Sequence, residues 1–157
     1  MAYNFSADEI FEMAKQIERN GAEFYKKAAE SVQGEDEKNF LLSLAQMEET
    51  HEQTFAEMQK DLADKEKASQ VFDPVEEAVL YLKALADTRI FFEKPFPGND
   101  MKEILKTAMN AEKDSIVFYL GMKELVPSEL GKKRVDNIVK EEMDHIRILS
   151  GKLLEQK

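Results

Sequence analysis

The sequence predicts an all-α fold, a four-helix bundle of two related hairpins, and three observations carry that prediction. Helix-forming Ala, Leu, Glu and Lys dominate a chain of 157 residues that has only six glycines and four prolines. Apolar residues recur at a spacing near 3.6 through four long stretches. Those stretches are separated at Gly34, by a segment between residues 68 and 98, and at Pro127. Each is a place where helix stops.

Taken in chain order, Ser6 with Glu9 forms a capping box opening a first helix that ends near Ser31. Its Ile10, Ala14, Ile17, Gly21, Phe24 and Ala28 share one face, with Phe11, Glu18 and Tyr25 on the adjoining seven-residue row. Gly34 breaks the helix, and Glu35, Asp36 and Glu37 suit the first turn of a second one, where the helix dipole favours negative charge. The second helix is expected to reach about Lys67, with Leu41, Leu44, Ala45, Phe55, Met58 and Leu62 on one stripe. Asp73 before Pro74 is an N-cap followed by a first-turn proline, the start of a short helix reaching about Phe92. Pro95, Phe96, Pro97 and Gly98 form a loop. Asp100 with Glu103 opens the third long helix, which carries Ile104, Ala108, Ala111, Phe118, Tyr119 and Met122 and ends near Val126. Pro127 and Ser128 begin the last, with Val135, Ile138, Val139, Ile146, Leu149 and Leu153 inward. Residues 68 to 98 are therefore a crossover containing a short fifth helix. A connection that long joins two parallel neighbours of a bundle, whereas short loops join antiparallel ones.

Composition excludes several classes of function. The length suits one domain spanning residues 1–157, large enough for a proper core. A net charge of −10, with Lys132, Lys133 and Arg134 as an isolated basic run, argues against nucleic acid or an anionic membrane as partner. With no cysteine there is no disulfide, thiolate metal site or redox thiol. Met-Ala-Tyr-Asn-Phe lacks the basic-then-apolar order of a signal peptide, and no stretch has the length of a membrane span, so a cytoplasmic location is expected.

One pattern points to chemistry. Glu18, Glu48 and His51 recur as Glu112, Glu142 and His145, each 94 residues later, and these are the two histidines of the chain. Ala14, Phe24 and Tyr25 recur at the same offset as Ala108, Phe118 and Tyr119. Each half is thus a helical hairpin, and a pseudo-twofold axis would set equivalent side chains around one centre. All six residues fall on the inward stripes. Burying one unpaired carboxylate costs on the order of several kcal/mol, and four close together also repel each other. No Lys or Arg lies on those stripes to neutralise them. Two divalent cations would cancel four carboxylate charges, and Glu and His three apart on a helix can reach the same ion. A single Glu-x-x-His would read as a surface ion pair; the doubled pattern with its matching third glutamate does not. Mixed carboxylate and imidazole ligands suit iron or manganese and admit zinc. Glu49, Glu52, Glu141 and Asp144 adjoin the motifs without symmetric partners and read as solvated charges. Tyr25 and Tyr119 read as core residues first, with hydrogen bonding to the ligands as the alternative. The eight methionines read as core filler.

At these residues the chain resembles the ferritin-like di-iron carboxylate superfamily, and within it the rubrerythrin branch. The motifs are Glu18 within Ile-Glu-Arg-Asn-Gly-Ala-Glu-Phe-Tyr, Glu48-Glu-Thr-His51, Glu112 ahead of Phe118-Tyr119, and Glu142-Met-Asp-His145. The resemblance implies a ferritin-like bundle in which Glu48 and Glu142 bridge two irons. Glu18 with His51 would complete one iron, and Glu112 with His145 the other, so the six metal ligands are also the catalytic residues. Such sites cycle between di-ferrous and di-ferric states while reducing hydrogen peroxide or dioxygen, in proteins that are homodimers. Two departures stand out. Typical rubrerythrins add a C-terminal rubredoxin domain with iron on four cysteines, and this sequence has none. Electrons would come from an external donor, such as a rubredoxin-like protein or a small reductant. Rubrerythrins also place an extra glutamate one turn after the third-helix ligand, where this chain has Ser115, with Gly21 as its repeat partner. That departure bears on the peroxidase mechanism and leaves the six-ligand set intact; the small side chains leave room for an oxidant. Two further readings remain open on the same residues: a ferroxidase or iron-handling protein, and a non-catalytic bundle with a structural metal or none.

Overall fold

Helix punctuation sets the architecture. The computed structural model describes residues 7–61, 80–82, 84–85, 96–126 and 129–156. Its long helices are α1 (Ala7–Ser31), α2 (Glu35–Asp61), α3 (Met101–Leu125) and α4 (Glu129–Glu155). The fold is all-α, as the periodicity predicts. At the α1–α2 corner the Lys38 amide donates to the Gly34 carbonyl at 2.9 Å, while Ser31 Oγ donates to the Ala28 carbonyl at 2.8 Å and to the Gly98 carbonyl at 3.3 Å. Gly98 has φ +83°, a left-handed conformation that only glycine adopts cheaply. Asp100 is the N-cap of α3, its carboxylate accepting from the Lys102 amide at 3.0 Å. Ser6 of the proposed capping box, the continuation of α2 towards Lys67 and the Asp73–Pro74 helix start lie outside the described residues. Within the crossover, residues 80–82 and 84–85 are helical.

Polar contacts at the helix ends fix the directions. Gln59 near the end of α2 donates to Asp8 at the start of α1, at 2.8 Å. Arg134 at the start of α4 pairs with Asp61 at the end of α2, at 3.4 Å, and Lys123 at the end of α3 pairs with Asp136 at 3.1 Å. Helices α1 and α2 form one antiparallel hairpin and α3 and α4 the other, with α1 against α3 and α2 against α4 across the bundle. Helices α2 and α3 run parallel, as a long crossover requires. They sit diagonally, however, rather than as the expected neighbours, because each hairpin packs like against like. Tyr81 and Leu82 of this segment lie against α3: Leu82 is buried, and the Tyr81 hydroxyl donates to the Val117 carbonyl at 2.9 Å. A Cβ at Gly121 would lie 2.7 Å from the Tyr81 ring, so glycine there permits the close approach.

The core forms two clusters along the bundle. One contains Phe11, Phe55, Phe118, Tyr119, Met122, Val135 and Ile138; the other contains Tyr25, Leu41, Leu44, Leu105, Ala108 and Leu149. Phe24, Ala111, Ile146 and Leu153, expected inside, sit half-buried at the margins. Phe55 is fully buried against Phe11 and Tyr119, with ring centroids 6.5 and 5.1 Å away. Phe55→Ala is therefore expected to cost about 3–5 kcal/mol in urea denaturation, the usual cost of a phenyl-sized cavity. A loss below about 1 kcal/mol would mean this end of the bundle is not packed as described. Among the described residues no helix is long and apolar enough to cross a membrane.

Candidate metal centre

Between the two apolar clusters lies a polar layer. Glu18 comes from the middle of α1, Glu48 and His51 from α2, Glu112 from α3, and Glu142 and His145 from α4. None of the six is more than 4% exposed. Helical spacing places Glu48 one turn before His51 and Glu142 one turn before His145, so each pair projects from one face. The structure brings all six predicted residues together.

They fall into two groups, Glu18, Glu48, His51 and Glu142, then Glu48, Glu112, Glu142 and His145. Within each group the potential ligand atoms all lie within 4.8 Å of one another. His51 Nδ1 faces Glu142 Oε1 at 2.8 Å, Glu18 Oε2 at 3.6 Å and Glu48 Oε2 at 3.9 Å. His145 Nδ1 faces Glu142 Oε2 at 3.2 Å, Glu48 Oε1 at 3.4 Å and Glu112 Oε1 at 3.6 Å. Glu48 and Glu142 thus give one oxygen to each group. The two imidazoles lie nearly parallel, 17° apart with centroids at 5.6 Å.

Several atoms here lack what buried polar atoms normally have. Glu18 Oε2, Glu48 Oε1, Glu142 Oε2 and His145 Nδ1 are buried without a hydrogen-bond partner. Orphaned acceptors of that kind are costly in a packed interior, and a cation between them would satisfy several at once. Three carboxylates and one imidazole per group match the donor set of iron or manganese. The residues present fit a pair of divalent ions.

Both tyrosines take part, as core residues and as donors. The Tyr25 hydroxyl donates to Glu112 Oε1 at 2.7 Å, and Tyr119 donates to Glu18 Oε1 at 2.6 Å. Each reaches from one hairpin to the unshared glutamate of the other and fixes that carboxylate; Glu18 turns its second oxygen to His51, whereas Glu112 Oε1 accepts from Tyr25 and also faces His145 Nδ1. Burial and the neighbouring carboxylates push both phenols well above their ordinary range, so they stay protonated donors. Tyr119→Phe is expected to lower stability by about 1.5–3 kcal/mol, the loss of a buried bond to a carboxylate. Denaturant titration reads it, and an unchanged midpoint would count against that bond.

Without metal the cluster must hold protons instead. Burial and the Glu142 charge push Glu18 up to about 7. Burial and the Glu112 charge push Glu142 up to about 8, and burial pushes Glu48 well above its usual range. Burial works to raise Glu112 too, but the close Glu142 carboxyl and His145 imidazole outweigh it and hold that carboxyl low. Burial works to lower His51, yet its hydrogen bond to Glu142 and the nearby Glu18 carboxylate raise it to about 11, and the carboxylates around His145 raise that imidazole too. The three raised carboxyls bind protons more tightly folded than unfolded, so their contribution is lost as pH climbs through 7 and 8. The histidines, protonated when folded, lose theirs as pH rises from the unfolded value of 6.5 upward. Glu112 acts in the opposite direction, but only below 4.5. The Tm of chelator-stripped protein is therefore expected to fall between about pH 5 and pH 8. Thermal scans across that window test it; a rising Tm would contradict these proton assignments.

Two clefts reach the layer. One, of about 90 Å³ between α1 and α3, is lined by Gly21, Ser115, Tyr25, Glu48 and Glu112, with Ile17, Phe24 and Ala108 supplying apolar walls. A Cβ on Gly21 would lie 3.5 Å from Glu48 Cγ and Cδ, so the bare backbone keeps this opening. The other, of about 360 Å³, lies outside the histidines and is lined by Met47, Thr50, Glu141 and Asp144. Of the four acids read as solvated, Glu49 pairs with Lys26, Glu52 with Arg19 at 2.8 Å, and Asp144 with Arg147 at 3.0 Å, all at the surface. Glu141 differs, because its Oε2 lies 2.5 Å from His51 Nε2. No local signal marks it, since the contact joins helices 90 residues apart in sequence.

Two paired hairpins enclosing a buried layer of four glutamates and two histidines define the class of ferritin-like di-iron carboxylate proteins. The rubrerythrin family model matches residues 9–153, and the chain belongs to that family. A crystal structure from Thermotoga maritima, described as a ferritin-like diiron-carboxylate protein, is similar over 100% of both chains, with 25% identity and a TM-score of 0.73. No curated protein matches the chain.

Proposed function

We propose that this chain is a single-domain di-iron oxidoreductase that reduces hydrogen peroxide or dioxygen with electrons from an external donor. The observation that supports it most is the sharing of Glu48 and Glu142 between two four-residue groups that otherwise use different residues. Glu18 and His51 would complete one iron position, Glu112 and His145 the other. Iron bound there supplies electrons for cleaving an oxygen–oxygen bond. The chain's own residues do the rest. Tyr25 and Tyr119 hold the unshared glutamates in place, and the apolar walls of the α1–α3 cleft limit water. Gly21 and Ser115 leave space beside Glu48 and Glu112 for a molecule the size of peroxide. With no cysteine in these 157 residues to hold a second redox centre, a separate rubredoxin-like protein or small reductant is the proposed donor. A cytoplasmic homodimer belongs to the same reading.

The test is anaerobic loading with ferrous iron, then rapid mixing with peroxide. Oxidation within the mixing experiment, and turnover with a reductant, support the reductase. Slow oxidation with accumulation of ferric mineral would instead indicate iron handling. Gly21→Leu is expected to slow the oxidation by on the order of tenfold to a hundredfold by filling the cleft, with metal content unchanged. Loss of metal in that variant would contradict the cleft's role.

A further inference from the structure

We infer that the two metal positions are inequivalent, because Glu141 holds the imidazole of only one of them; this rests on the metal-centre reading above. His51 turns Nδ1 towards Glu18, Glu48 and Glu142, while its Nε2 lies 2.5 Å from Glu141 Oε2. With Nδ1 committed to a metal, Nε2 carries the proton and donates it to the Glu141 carboxylate. A carboxylate in that place fixes the ring and tautomer and makes the inner nitrogen a stronger base.

Among the described residues, the other histidine lacks that support. The 94-residue repeat relates Glu141 to Met47, which lines the same outer cleft and offers a thioether, a weak acceptor without charge. The three carboxylates that approach His145 all face its Nδ1. Asp144, also in this cleft, is engaged by Arg147 at 3.0 Å. Glu141 is thus a positioning residue, and it makes the Glu18–His51 position the tighter of the two. Its side chain is 60% exposed, so replacing it leaves the packing of the core alone.

Cobalt(II) titration of the metal-free full-length chain tests the idea, with affinity rather than turnover as the readout. The wild type is expected to take up two ions in two resolved steps. Glu141→Gln should weaken the tighter step on the order of tenfold to a hundredfold and leave the weaker one in place. Met47→Glu, which supplies the missing carboxylate, should tighten the weaker step. Histidine ¹⁵N labelling of the zinc-loaded chain gives a second view, because there are only two histidines to observe. One Nε2–H, that of His51, should be shifted downfield and exchange slowly, and Glu141→Ala should abolish this. Two equal steps in the wild type, or a Glu141→Gln effect that is absent or equal on both, overturns the inference while the metal centre stands. A wild type that binds no cobalt overturns both.

Discussion

Glu142→Ala is expected to empty both metal positions together, taking bound metal from two ions per chain to almost none. Glu142 is fully buried, and its two oxygens point to different histidines, 2.8 Å from His51 Nδ1 and 3.2 Å from His145 Nδ1. Removing it withdraws one ligand from each group and leaves each ion's charge balanced by one carboxylate fewer. Glu18→Ala is the control, since Glu18 belongs to one group only. That variant should lose the ion beside His51 and keep the one beside His145. The metal-free variants should still fold, because removing a carboxylate also removes repulsion within the layer, and circular dichroism checks this. Elemental analysis of the two proteins separates a shared ligand from a merely nearby one. Retention of one ion by Glu142→Ala, or loss of both by Glu18→Ala, would contradict the sharing.

Chelation of the wild-type protein should produce the largest change in stability. A ligand present at a thousand times its Kd stabilises the folded state by about 4 kcal/mol, so two ions contribute roughly 8 kcal/mol. For a domain of this size each kcal/mol moves the midpoint by about 2–4 °C, which places the expected fall in Tm at roughly 15–30 °C. The fall should widen as pH rises from 5 to 8. Protons compete with metal for the same carboxylates and imidazoles, and the metal-free cluster itself weakens in that range. Calorimetry with and without chelator gives both quantities. A Tm unaffected by chelation would leave the six residues as a proton-sharing polar layer without a resident metal.

The six inward residues were legible because two constraints act on the same positions. Helical periodicity assigns Glu18, Glu48, Glu112 and Glu142 to the interior, and electrostatics forbids four unpaired carboxylates there. The 94-residue repeat then adds symmetry. The helix starts were legible for the same local reason, as at Asp100, where the cap contact spans two residues. Contacts between helices were not. Whether Tyr25 and Tyr119 are only core or also donors depends on which glutamate lies across the bundle, 87 and 101 residues away in sequence. Glu141 looked like any surface acid, because a charge beside a helical ligand turns towards solvent unless a neighbouring helix meets it. The diagonal placement of α2 and α3 is likewise set by hairpin packing, which the length of the crossover does not encode.

The most direct measurement is elemental analysis of the untagged protein purified without chelators from iron-supplemented cells. The account predicts about two irons per chain, the number of groups that share Glu48 and Glu142. A chain that carries no metal and refuses reconstitution with ferrous iron would contradict it.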